Sequence, residues 1–186
     1  KRLAMLVLAG AMVTSSLTGC GLKDSATVAT VAGDEIPAGL ANFYARMTQA
    51  QYESMYSSYL GDNMWTTEAS EGKTYEKLVK DEVLKDLENM YLLEDHMDDY
   101  KISLSDDEKK AIKDAAKEFS KDNDKDDKEK VSGDTEYVER YLTLATIKQK
   151  MTDAIEAEAD TNVTDDEAKQ KAMQYVLFSI NTTDAN

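Results

Sequence analysis

The amino-acid sequence predicts a mainly α-helical protein: a short N-terminal β-hairpin, a bundle of about four to five helices, and one strand near the C-terminus. Three observations carry this prediction. Apolar residues recur at three- and four-residue intervals along most of the chain after residue 37, the spacing of a helix face. Two boxes, Ser105 to Glu108 and Thr164 to Glu167, have the hydroxyl and carboxylate that satisfy each other's backbone donors at a helix start. A single proline, Pro37, stands in 186 residues, so little in the backbone forbids long helices.

Residues 1–19 are set apart from the fold. Lys1 and Arg2 precede an apolar run from Leu3 to Val13, and small polar residues follow. That is the three-part plan of a secretory signal, and the run falls short of the ~20 apolar residues that a membrane span needs. Leu17, Thr18 and Gly19, directly before Cys20, resemble the lipobox of bacterial lipoproteins. The resemblance implies a diacylglycerol on the Cys20 sulfur and cleavage before that residue. Two or three acyl chains, at about 0.8 kcal/mol per buried methylene, hold a protein on a bilayer where one chain does so only transiently. Cys20 is the only cysteine, so it has no disulfide partner within the chain. Residues 20–26 read as the lipidated cysteine and a polar tether.

The hairpin is read from Val28 and Val31, a turn at Ala32-Gly33-Asp34, and a short extended piece at Glu35-Ile36. Gly33 supplies the positive φ that a tight hairpin needs. Pro37 then suits a first helical turn, where its missing N–H is not wanted. Leu40, Phe43, Tyr44, Met47 and Ala50 mark one face of a helix over 37–60. A second helix is expected from Thr74 to about Tyr100, with a stripe of Leu78, Val79, Val83, Leu87, Met90, Tyr91 and Met97. The Ser105 box opens a third, ending near Phe119. Thr135 to about Ala159 is a fourth, with Tyr137, Tyr141, Leu144, Ile147, Met151 and Ile155 on one side, and the Thr164 box opens a short fifth. The period then changes, and YVLFSI at 175–180 reads as a strand.

Residues 121–133 place Asp122, Asp124 and Asp126 at alternate positions, which invites a calcium reading. An EF-hand loop also requires glycine sixth and a bidentate glutamate twelfth; counted from Asp122, those places hold Asp127 and Gly133. A solvated, flexible loop is the expectation here.

Charge and composition narrow the function classes. Net charge is −15, and −17 once Lys1 and Arg2 leave with the signal. Such a chain lacks the cations with which proteins neutralise phosphates, so nucleic acid is not an expected partner. His96 is the only histidine, which leaves neither a zinc cluster nor a Ser-His-Asp constellation with imidazole to spare. Beside Glu94 and Asp95, it reads as a helix-surface residue. There is no Gly-rich phosphate loop. The pairs Asp98-Asp99 and Asp106-Asp107 are adjacent in sequence and point to different sides of a helix. No catalytic residue, metal or cofactor is nominated.

What the sequence does hold is nine Met and ten Tyr against one Trp and three Phe. Residues 43–65 concentrate them. Phe43, Tyr44 and Met47 read as core. Tyr52, Met55, Tyr56, Tyr59, Met64 and Trp65 admit two readings: a helix core with amphipathic edges, or an adaptable apolar surface of the kind methionine favours where partners vary. On the second reading these six are candidate binding residues.

Taken in order, the lipobox, the entry ATVATVAGDEIPAGLANFY at 26–44 and the long stretch YVERYLTLATIKQKMTDAIEAEADTNVTDDEAKQK at 137–171 resemble extracytoplasmic foldases of the PrsA and SurA type. In that family a helical chaperone domain precedes a parvulin-type peptidyl-prolyl isomerase domain, and MQYVLFSI at 173–180 sits where that domain's first strand begins. The resemblance implies a SurA-like helical chaperone domain over 27–172 and the start of a truncated parvulin-like domain over 173–186. Tyr175 appears where the parvulin strand usually carries histidine, and about 90 further residues would be needed, so this stretch is expected to be inactive as an isomerase. The expected function is that of a membrane-anchored chaperone on the extracytoplasmic face, whose partners are unfolded exported polypeptides and, through the lipid on Cys20, the membrane. The alternative is a non-catalytic surface lipoprotein acting as a scaffold or binding module.

Overall fold

A computed structural model describes residues 23–158, apart from 62 and 71. The lipobox residues Leu17, Thr18, Gly19 and Cys20, the helix expected after Thr164, the strand at 175–180 and the segment 173–186 lie outside the described residues. Within them the protein is mainly helical, entered through the expected hairpin.

Strand β1 (Thr27–Val31) pairs antiparallel with β2 (Asp34–Pro37). The two turn residues, Ala32 at φ 53° and Gly33 at φ 102°, are both left-handed, the twist that matches two-residue hairpins to their strands. Ile36, on β2, is fully buried. Pro37 closes β2 rather than opening the helix: helix α1 (Ala38–Leu60) starts one residue later. Its first two N–H groups donate to the chain before the hairpin, Ala38 to the Ala26 carbonyl at 2.7 Å and Gly39 to that of Asp24 at 2.8 Å. Donors that a helix start leaves unsatisfied are thereby used.

The chain leaves α1 through a 3₁₀ turn, Met64–Thr66, and a second small hairpin, β3 (Glu68–Ser70) with β4 (Lys73–Thr74). Neither was expected, because these elements are too short to show periodicity. Helix α2 (Tyr75–Asp95) begins at Thr74, whose hydroxyl accepts the Lys77 N–H, and buries the expected stripe Val79, Val83, Leu87, Met90 and Tyr91. It ends five residues before the expected Tyr100. Met97–Tyr100 is a 3₁₀ turn closed by Lys101 in the left-handed region at φ 56°, and this tightening turns the chain toward the next helix.

Helix α3 (Asp106–Asp122) realises both arms of the Ser105 box: the Ser105 hydroxyl accepts from the Glu108 N–H at 3.2 Å, and the Glu108 carboxylate accepts from the Ser105 N–H at 2.7 Å. The link expected to be a flexible loop is instead largely helical. In α4 (Lys125–Val131) Asp124 caps the start by accepting the Asp127 N–H at 2.9 Å, so one aspartate of the alternating run does local structural work. Ser132, left-handed at φ 51°, ends it. The buried Ser132 hydroxyl accepts from Asn42 at 2.9 Å and donates to Asp24 at 3.0 Å, tying α4 to α1 and to the chain before β1.

Helix α5 (Thr135–Ala157) is the central packing element, against α3, α2 and α1. It runs antiparallel to α2: Arg140 meets Glu94 through two 2.6 Å bonds, and two turns on Lys148 meets Asp86 at 2.6 Å. The main core gathers Ile36, Leu40, Val79, Val83, Leu87, Met90, Tyr91 and Leu144; a smaller one joins Phe43, Ala116 and Val138. No described helix is long and apolar enough to cross a membrane.

Candidate functional site

Helix α1 has two unlike halves. Ala38, Leu40, Ala41 and Phe43 are buried, and Tyr44 packs on Tyr141 with ring centres 4.9 Å apart. Met47, expected in this core, is 46% exposed. It lies one turn beyond Phe43 and Tyr44, where the buried stretch of α1 has ended. Past residue 50 the helix continues with almost nothing buried. Tyr52, Met55, Tyr56 and Tyr59 stand at i, i+3, i+4 and i+7, the spacing by which other helices here cover one another. On α1 the stripe faces outward: Met55 is 59% exposed, Tyr56 40% and Tyr59 87%.

Tyr52 joins this stripe to the body. Its ring centre lies 5.6 Å from that of Tyr56 and 6.3 Å from that of Trp65, both tilted. Beyond it opens a groove of about 420 Å³ between α1 and the start of α2, lined by Tyr52, Tyr75, Leu78, Val79, Asp81, Glu82 and Lys85. Trp65 is held by its indole N–H, which donates to Glu53 at 2.8 Å. Met64, the neighbour of Trp65, is 2% exposed. Of the six candidates it alone is fully buried, while Tyr52 and Trp65 are partly buried against the main core.

The polar groups at the groove differ in state. Asp81 accepts from both Lys77 and Lys73, and these lysines hold its carboxyl below the ordinary range. Glu53 is lowered by hydrogen bonds from Gln49 and Trp65. Burial and then the Glu82 charge push the Tyr52 phenol up, and its hydroxyl stands 3.5 Å from Glu82. At neutral pH the Tyr52 phenol therefore stays neutral and the Glu53 and Asp81 carboxyls stay ionised, beside the indole face of Trp65.

Nothing here resembles acid-base machinery. The described residues contain no cluster of three or more His, Cys, Asp or Glu side chains placed to hold a metal. His96 caps the end of α2, with Nδ1 2.9 Å from Asp99, and is half-buried. What the arrangement can do is bind: an apolar, aromatic strip that leads into an open groove.

Five of the six residues marked in the sequence are brought together here. Those missed are Tyr75, Leu78, Glu53 and Glu82. Leu78 was visible as part of the α2 stripe, but that it faces α1 across a groove depends on the crossing of the two helices. Comparison with family models, with curated proteins and with solved structures finds no match for this chain.

Proposed function

We propose that this protein is a membrane-anchored extracytoplasmic chaperone which shields apolar segments of unfolded exported polypeptides on the outer half of α1 and the adjoining groove. The observation that carries the proposal is the Met55, Tyr56 and Tyr59 stripe, regular in spacing and exposed in a chain with a charge of −15. A folded domain rarely keeps such a strip in water without a partner. Methionine and tyrosine suit changing partners: methionine adapts its shape, and tyrosine gives large contact at little entropic loss. Covering apolar surface contributes about 25 cal/mol per Å², enough in a strip of this kind for weak, reversible capture rather than permanent binding. The surrounding negative charge disfavours self-association of the loaded chaperone.

The anchor belongs to the same proposal. Lipid on Cys20 would place the helical body beside the bilayer, where exported chains emerge.

The test is suppression of aggregation. At stoichiometric amounts the protein should slow light-scattering growth of a chemically unfolded client. The triple variant Met55→Ser, Tyr56→Ser, Tyr59→Ser, whose changes all lie on exposed positions, should retain its helical circular dichroism and lose most of that effect. No suppression by the parent protein, or full suppression by the folded triple variant, overturns the proposal.

A further inference from the structure

The fold already contains one aromatic and carboxylate seat for a cation. Arg140 lies over the Tyr91 ring, 4.6 Å from its centre, and is gripped from the side by Glu94 through two 2.6 Å bonds. Beside the groove the same components recur with no cation bonded to the carboxylates: Arg46 donates to Gln49 and acts on Glu53 only through its charge. Tyr52, Tyr56 and Trp65 form an aromatic cluster with tilted rings. Glu53 stands at its Trp65 side and Glu82 at its Tyr52 side.

Neither carboxylate is in an ion pair among the described residues: Glu53 is bonded to Trp65 and Gln49, and Glu82 only to the Tyr52 hydroxyl at 3.5 Å. The nearby lysines are largely engaged elsewhere, Lys73 and Lys77 on Asp81 and Lys80 on Glu76. Lys85 lines the groove one turn beyond Glu82. A guanidinium or ammonium that enters at Tyr52 would gain a ring face and the Glu82 carboxylate, with the Glu53 charge on the Trp65 side of the same cluster. The ring quadrupole and the carboxylate act on it in the same direction.

We propose that this cluster is a docking seat for an arginine or lysine side chain flanked by apolar residues, so that cationic-apolar polypeptide segments are the preferred ligands of the groove. The inference rests on the chaperone reading above and specifies its ligand class. The apolar neighbours of the bound cation lie along Met55, Tyr56 and Tyr59 on one side and Tyr75 and Leu78 on the other. The net charge of −15 steers such segments inward.

Trp65 is the only tryptophan, so its fluorescence reports this seat alone. Three twelve-residue peptides of alternating leucine with arginine, glutamine or glutamate are titrated into the protein at low and at 0.5 M salt. The arginine peptide should shift Trp65 emission and bind about tenfold more tightly than the glutamine peptide, an advantage largely lost at high salt. Glu82→Gln should remove much of that advantage. Glu118→Gln, an equal charge change at an exposed position on α3, should preserve it and thereby separate the seat from general attraction to an acidic protein. Equal binding of the arginine and glutamine peptides, or equal loss in the two variants, overturns the seat and leaves the chaperone reading standing. If none of the peptides binds and aggregation is also unaffected, both fall.

Discussion

The ring of Tyr137 lies directly over Gly39: a methyl group built on that glycine would stand 2.3 Å from Cε2 of the ring. Helices α1 and α5 cross here as closely as they do because position 39 has no side chain. Gly39→Ala should raise helix propensity by up to ~1 kcal/mol yet destabilise the protein on balance, since overpacking costs about 1–3 kcal/mol. A lower urea midpoint with an unchanged m-value is expected, and Tyr137→Ala in the same chain should recover part of the loss. A Gly39→Ala protein more stable than its parent would mean that the ring swings away freely.

The Arg140 and Glu94 pair is two-pronged, about 30% exposed at each partner, and roofed by Tyr91. Lysine cannot reproduce the fork. Arg140→Lys should cost about 1–2 kcal/mol in chemical unfolding, and a double-mutant cycle with Glu94→Gln should give a coupling energy of similar size. Additive single effects would show that the contact is structural coincidence.

Glu108 and Tyr44, the carboxyl and the phenol moved furthest from their ordinary values, should contribute to the pH dependence of stability at its two ends. Glu108, bonded to Lys150 and within its own capping box, has its pKa lowered to about 2. A depressed carboxyl stabilises the fold above its unfolded pKa and loses that contribution as pH falls through the folded value. Acid unfolding should therefore steepen between about pH 4.5 and 2, and Glu108→Gln should flatten this limb. Tyr44 behaves oppositely. Burial, and then its hydrogen bond to Asp86, raise its phenol well above 10. Its contribution is complete below pH 10 and declines above it, so Tyr44→Phe should blunt the alkaline fall in melting temperature. Unchanged limbs in both variants would refute these assignments.

The anchor proposal has its own check. Cys20 is the only thiol, so Cys20→Ser should abolish thioether-linked lipid in mass spectrometry and release the protein from the membrane fraction. A lipidated, membrane-bound serine variant would exclude the lipobox reading.

The helices were legible because they are long and their stripes are regular; α2, α3 and α5 begin within a residue of where caps and spacing put them. The first hairpin was legible through Gly33. Residues 121–133 misled because a short helix rich in aspartate and lysine has no apolar face to betray it, and its start depends on one side-chain bond from Asp124. Met47 misled for a related reason: spacing identifies a face, but not how far along it burial extends. At the candidate site the Met/Tyr stripe could be read directly. Met64 could not be told from Met55, because burial of the one and exposure of the other are set by the tertiary fold and leave no mark on spacing. Glu53 and Glu82 lie 29 residues apart, and only the packing of α1 on α2 sets them around one aromatic cluster.

Helix α1 is continuous in its hydrogen bonding but should be uneven in its resistance to opening. Amides near Leu40 to Tyr44 sit within the core and exchange with solvent only when the whole domain unfolds, whereas those from Ser54 to Leu60 are released by fraying from the far end. If the proposed chaperone function holds, the outer turns would melt and re-form around one bound segment after another while the hairpin and α5 stay folded. A bound segment would lend protection to these turns, so occupancy can be followed as slowed deuterium uptake in a stretch that carries no charge between Ser54 and Leu60.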